Sequence, residues 1–108
     1  MSSNGRSGWL FFTNHLQVLL YVARHPDARL RTIADEVQIT ERAAHRILTE
    51  LAQEGYLEVS KHGRRNHYRI NPDASLRHPA NTDVALGPLV AFVNQAVRDI
   101  SSAHGDEE

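Results

Sequence analysis

Apolar side chains recur at helical spacing in four stretches of this chain and alternate at strand spacing in two. Leu16, Leu19, Leu20 and Ala23 predict a first helix that starts after Thr13 or Asn14 and runs to about Arg24. Pro26 marks its end, and Pro26-Asp27 forms a turn. Leu30, Ile33, Ala34 and Val37 make one stripe over two turns of a short second helix, whose start is poorly marked because Arg29 and Arg31 are weak caps. Gln38-Ile39-Thr40 then reads as a tight turn with Ile39 as an apolar plug. In the third helix Ala44, Ile47, Leu48 and Leu51 face inward, and Arg42, His45, Arg46, Thr49 and Gln53 fall opposite. Thr40 is a good N-cap for it, Glu41 suits the helix dipole, and Gly55 sits where a left-handed residue ends a helix.

Leu57-Glu58-Val59-Ser60 and His67-Tyr68-Arg69-Ile70 alternate in and out, with Gly63 permitting a sharp bend between them. Asn71-Pro72-Asp73 closes this hairpin. Asp73 to Asp83 reads as loop. Pro88 then opens a last helix with a stripe of Leu89, Phe92, Val93, Ala96, Val97 and Ile100. Helix, tight turn, helix, then hairpin is the layout of a winged helix-turn-helix, mainly α with a small β-hairpin. The expected organisation is a disordered Ser/Gly/Asn-rich tail over 1–8, a winged-helix domain over 9–79, a C-terminal helix over 80–101 and an acidic tail over 102–108.

With 108 residues the chain supports one hydrophobic core. Twelve Lys+Arg against thirteen Asp+Glu give a net charge of −1, so overall charge is silent about a polyanionic partner. Its distribution is informative. Acids gather at Asp35, Glu36 and the tail, whereas Lys61 to Arg69 carries only positive charge, so a negative partner would meet one face. The absence of cysteine removes disulfides and thiolate metal sites. No signal peptide is visible, and the apolar stretch Val84 to Val93 is interrupted by Gly87 and Pro88 and is too short for a bilayer, so a cytoplasmic protein is expected.

The outer face of the third helix carries the candidate chemistry. Arg42 and Arg46 lie one turn apart with His45 beside them, and an arginine fork matches the O6 and N7 atoms of guanine. Thr40, Thr49 and the helix N-terminus can donate to phosphate. Arg64 and Arg65 beside Gly63 form a basic tip able to reach a minor groove or phosphates, and Lys61 and Arg69 are expected on the same edge. Both features have plainer readings, a solvated helix face and charge that protects a strand edge from aggregation. Their adjacency favours nucleic acid.

Seven histidines are scattered without an H-x-x-x-H pair. His62 and His67 could approach across the hairpin, but zinc would need further ligands, so no metal site is assigned. No phosphate loop, nucleophile elbow or cofactor motif is present, and the expected function is not enzymatic.

At these residues the chain resembles bacterial winged-helix transcriptional regulators of the MarR/ArsR type. It is similar in particular to small one-domain members that share a W-x-F-x-T-N-H start, here Trp9-Leu10-Phe11-Phe12-Thr13-Asn14-His15. Further matches are Ile39 to Ala44, the Glu54-Gly55-Tyr56-Leu57 step, Gly63 to Tyr68 and Leu76 to Pro79. The resemblance covers roughly Trp9 to Pro79. It implies a regulator of transcription that binds double-stranded DNA through the third helix and the wing as a homodimer, with repression the expected sign. Many such regulators have glycine in the turn where this chain has Gln38. Larger relatives build an effector pocket from extra helices, for which this chain has little room. Trp9, Phe11, Phe12 and the stripe from Leu89 to Ile100 exceed what one small core needs, and are the expected dimer contact. The rival expectations are a winged-helix protein-interaction module and a metal- or pH-responsive regulator whose histidines raise DNA affinity below about pH 6.5.

Overall fold

The computed structural model describes residues 12–76, 80 and 83–106, with side chains of the last helix through Ala96. The elements are α1 (Asn14–Arg24), α2 (Leu30–Val37), α3 (Glu41–Gln53), β1 (Leu57–His62), β2 (Arg65–Ile70) and α4 (Leu86–Asp106). Among the described residues, four helices and one antiparallel hairpin, in this order, form a winged helix-turn-helix.

Of the two candidate caps for α1, Thr13 is the one used. Its backbone is extended and its hydroxyl accepts from the Leu16 amide at 3.3 Å. The helix touches α2, α3, β2 and α4. Val18, Leu19, Leu20 and Val22 are therefore all buried, while Leu16 and Ala23 are only half-buried. The stripe read from the sequence omitted Val18 and Val22 because a single stripe presumes a single covered face. α2 and α3 follow their stripes: Ile33, Ala34, Ala44, Ile47, Leu48 and Leu51 are all buried.

Helices α2 and α3 end in the same hydrogen-bonded motif. The Ile39 amide donates to the Ala34 carbonyl at 2.9 Å and the Gln38 amide to Asp35 at 3.2 Å. One helix later, the Tyr56 amide donates to Leu51 at 3.0 Å and the Gly55 amide to Ala52 at 3.1 Å. Each motif needs one left-handed residue. Gly55 supplies it at φ 86, and Gln38 takes the same region at φ 64, ψ 49.

Both strands run six residues, longer than the four-residue alternations, and are joined by the two-residue turn Gly63-Arg64. Gly63 has φ 69 and Arg64 has a negative φ, the pattern of a type II′ hairpin turn. Lys61, His62, Arg65 and Asn66 extend the ladder beyond the core, where both faces are polar and alternation carries no signal. At its base the hairpin is anchored by buried Leu57 and Tyr68. The Tyr68 amide points away from β1 and donates to the Pro26 carbonyl at 2.8 Å, tying the wing to the turn after α1. Asn71 closes the base, donating from Nδ2 to the Gly55 carbonyl at 3.0 Å and from its amide to Tyr56 at 2.9 Å.

Ser75 bridges Ala85, and the Leu86 amide donates to Ala74 at 2.8 Å. The start of α4 lies against Pro72. A Cβ on Gly87 would fall 2.7 Å from the Pro72 Cβ, so the close approach requires glycine. Pro88 sits in the first turn, where its missing N–H has no helical partner to lose. α4 extends to Asp106, past the expected boundary at 101 and into the segment read as an acidic tail. Its buried face is Leu86, Val90 and Asn94, with Val93 alongside, whereas Phe92 is 74% exposed. Arg24 donates from Nη1 to Asn94 Oδ1 at 2.8 Å, which joins α4 to the end of α1. Phe12 packs against the core, while Trp9 and Phe11, the tail over 1–8 and the side chains of Val97 and Ile100 lie outside the described residues. Among the described residues no helix is long and apolar enough to cross a membrane.

Paired left-handed caps generate a stability prediction. Gln38→Gly should raise stability by about 0.5–1 kcal/mol, a few degrees in the thermal midpoint. Gly55→Ala, whose new methyl would meet nothing within 4 Å, should lower stability by about 1 kcal/mol through backbone strain alone. Thermal unfolding followed by circular dichroism reads both, and midpoints that move together would contradict the argument.

Candidate nucleic-acid interface

The outward face of α3 is built as its periodicity requires. Thr40 caps the helix, its hydroxyl oxygen accepting from the Ala43 amide at 3.0 Å, which leaves its own hydrogen for an external acceptor. Arg42, His45, Arg46, Thr49 and Gln53 are all exposed along one side. Among the described residues no ion pair engages Arg42. Arg46 lies 3.6 Å from Glu50, one turn on, and Glu50 in turn meets His15 Nε2 of α1 at 2.7 Å. The His15 hydrogen bond is the main reason the Glu50 carboxyl sits below its usual range. Desolvation opposes that effect and the nearby Arg46 charge adds to it. Arg46 is 60% exposed, so its hold on Glu50 is weak and a stronger anion could replace it.

On the wing the register sorts the cations. Lys61 shares a face with Val59, Asn66 and Tyr68, whereas Glu58, Ser60, His62, Arg65, His67 and Arg69 occupy the other. Lys61 and Arg69 therefore do not share an edge, contrary to the sequence expectation: they lie on different strands and opposite faces. Arg69 stands directly across from Glu58 and donates to its Oε1 at 3.2 Å, so its charge is already met within the hairpin. Arg64 is in the turn itself, and Arg65 opens β2.

Three of these cations gather around one recess of about 190 Å³ between the wing tip and the start of α2. Lys61, Arg64 and Arg65 line it with Arg29, Asn66 and Tyr68, and no acid is among its lining residues. Sequence reasoning missed Arg29. Its one signal was an arginine at a helix start without capping ability, and the surface it shares with the wing depends on how the turn after α1 meets β2.

On the other face of the wing, His62 and His67 stack with ring centroids 4.6 Å apart and planes 2° from parallel. His67 Nδ1 lies 2.7 Å from Asp27 Oδ1. That hydrogen bond leads the causes that hold the Asp27 carboxyl low, opposed by desolvation and assisted by the charges of His67, His62 and Arg65. The sequence placed the two histidines near each other but gave no sign of Asp27.

Fold and surface together define a winged helix-turn-helix with an exposed polar α3 face and a cationic wing. The MarR family model matches residues 13–65, from the cap of α1 to the start of β2. Among solved structures, the chain is similar to Streptococcus pneumoniae FabT, determined in complex with DNA, at a TM-score of 0.51 and 13% identity. The match covers 97% of this chain and 64% of FabT, so this chain spans under two thirds of that protein's length. No curated protein matches the chain.

The Glu50 contact has a pH consequence. Its folded-state pKa lies below the unfolded value, so its contribution to stability is complete above the ordinary glutamate value of 4.5 and is lost as pH falls through the folded pKa. Glu50→Gln should flatten the acid limb of stability below that value and leave the neutral region unchanged in shape. Urea midpoints measured across the acid range check this, and parallel limbs for the two proteins would contradict it.

Proposed function

We propose that this chain is a sequence-specific double-stranded DNA-binding transcriptional regulator, a small bacterial protein of the MarR/ArsR type acting in the cytoplasm without catalysis. One observation carries the proposal: Arg29, Lys61, Arg64 and Arg65 surround a single recess that no acid lines, beside a recognition-type helix whose outer face is exposed. Cations collected in this way suit a phosphate backbone, whose negative oxygens recur along each strand. Arg42, His45 and Arg46 then read base edges, with Thr40 and Thr49 on phosphate. Arg69 plays a lesser part than Arg64 and Arg65 because Glu58 competes for it. The match to the MarR family model and the likeness to a protein solved with DNA support the same reading. Repression, as the sign of regulation, rests on the family resemblance alone.

The protein acts as a homodimer in this proposal, with half-sites about 10 bp apart on a palindromic operator. Phe92, 74% exposed on α4, supports it, because so large an apolar side chain gains from burial against a second copy.

Salt dependence tests the DNA reading. In fluorescence anisotropy with duplex DNA, log K should fall linearly with log salt at about −0.9 per neutralised phosphate. Substituting Arg64→Ala and Arg65→Ala together should reduce that slope by up to about 2, whereas Arg42→Ala should cost about 1–3 kcal/mol on the preferred site and relax its specificity. An unchanged slope would favour a protein-interaction module instead. Light scattering should report twice the monomer mass at micromolar concentration, shifting toward monomer with Phe92→Asp. A wild-type monomer both with and without DNA would overturn the dimer.

A further inference from the structure

The wing face that carries His62 and His67 is turned away from Lys61, and its histidines are not needed for the reading above. They converge because of register: His67 pairs with Ser60, and His62 lies two residues further along β1 on the same face. Asp27 joins them from a point forty residues away in the chain. The turn that carries it is held twice, by the Ala28 amide on the His25 carbonyl at 3.1 Å and by the Tyr68 amide on the Pro26 carbonyl at 2.8 Å. One ligand atom from each of the three side chains lies within 4.8 Å of the other two.

We infer that Asp27, His62 and His67 form a binding site for a borderline divalent cation, of which Zn²⁺ and Co²⁺ are representative, and that the ion pins the wing to the α1–α2 turn. Two imidazoles and one carboxylate are a donor set that such ions prefer over the all-oxygen sites of Ca²⁺ and Mg²⁺. Three protein ligands leave a tetrahedral ion one position for water. Ligand atoms around Zn²⁺ stand about 3.3 Å apart, so on binding the longer separations, at most 4.8 Å, close by about 1.5 Å or less, while the 2.7 Å contact of His67 with Asp27 opens slightly. His62 is exposed on its strand and can rotate to do so, opening the ring stack. The cation takes the place of the hydrogen bond between His67 Nδ1 and the Asp27 carboxylate, and the neutral imidazole then carries its proton on Nε2. The site does not depend on the DNA reading, since its ligands and its test are separate from any duplex.

The test is a Co²⁺ titration of the full chain without DNA, followed by visible d–d absorption and by the thermal midpoint. The expected result is saturation at one ion per chain with a rise in the midpoint. His62→Gln and Asp27→Asn should each weaken binding about tenfold or more. His25→Gln, whose residue lies outside the trio, should leave binding intact. His62→Gln changes an exposed side chain and keeps the fold, which circular dichroism verifies. Absence of saturable binding up to about 1 mM free Co²⁺, or binding that His62→Gln and Asp27→Asn leave unchanged, would overturn the inference.

Discussion

Enclosure of α1 is the constraint on which the rest of the molecule depends. Val18, Leu19, Leu20 and Val22 are buried because α2 and α3, the base of the wing and α4 all pack around this helix. With the inner side of α3 committed through Ala44, Ile47, Leu48 and Leu51, its remaining side can only face solvent. Anchoring of Tyr68, by burial of its ring and by its amide on the Pro26 carbonyl, sets the wing beside that face. The outer surface is thus a by-product of the inner one. Loss of any core layer would displace the polar face of α3 and the cationic recess together.

Charge on this surface is divided between cations that are already partnered and cations that are not. Glu50 holds Arg46 and Glu58 holds Arg69, both in exposed or half-exposed pairs of small energetic worth. Among the described residues no ion pair engages Arg29, Arg42, Lys61, Arg64 or Arg65. A polyanion would meet the second group without displacing an internal partner. The first group would enter only by exchange, which makes it better suited to tuning than to anchoring. The two wing faces also differ in chemistry, one carrying Lys61 and the other the stacked histidines with Arg65 and Arg69.

Much of the fold was legible because the signals involved are local. Thr13 and Thr40 as caps, the glycine stop at Gly55 and the apolar stripes of α2 and α3 each rest on residues within one or two turns of one another. Backbone preference and periodicity act at that range. The extent of the hairpin was less legible, since Lys61, His62, Arg65 and Asn66 are polar on both faces and are paired by backbone bonds to which composition is blind. In α4 the apolar residues cover more than one side of the helix, so the stripe through Phe92 and the buried face through Leu86 and Val90 could not be separated by spacing alone.

The sequence by itself determined the order of elements, the inward and outward sides of α2 and α3, and the concentration of positive charge at residues 61–69. Tertiary structure decided which of those charges stand together. It brought Arg29 to Lys61, Arg64 and Arg65, gave Arg69 to Glu58, and set Asp27 against His67. The physical reason is one of range. Helix and cap signals act over a few residues, whereas these contacts join segments 11 to 40 residues apart, and depend on a strand register and a turn anchor that only the packed core specifies.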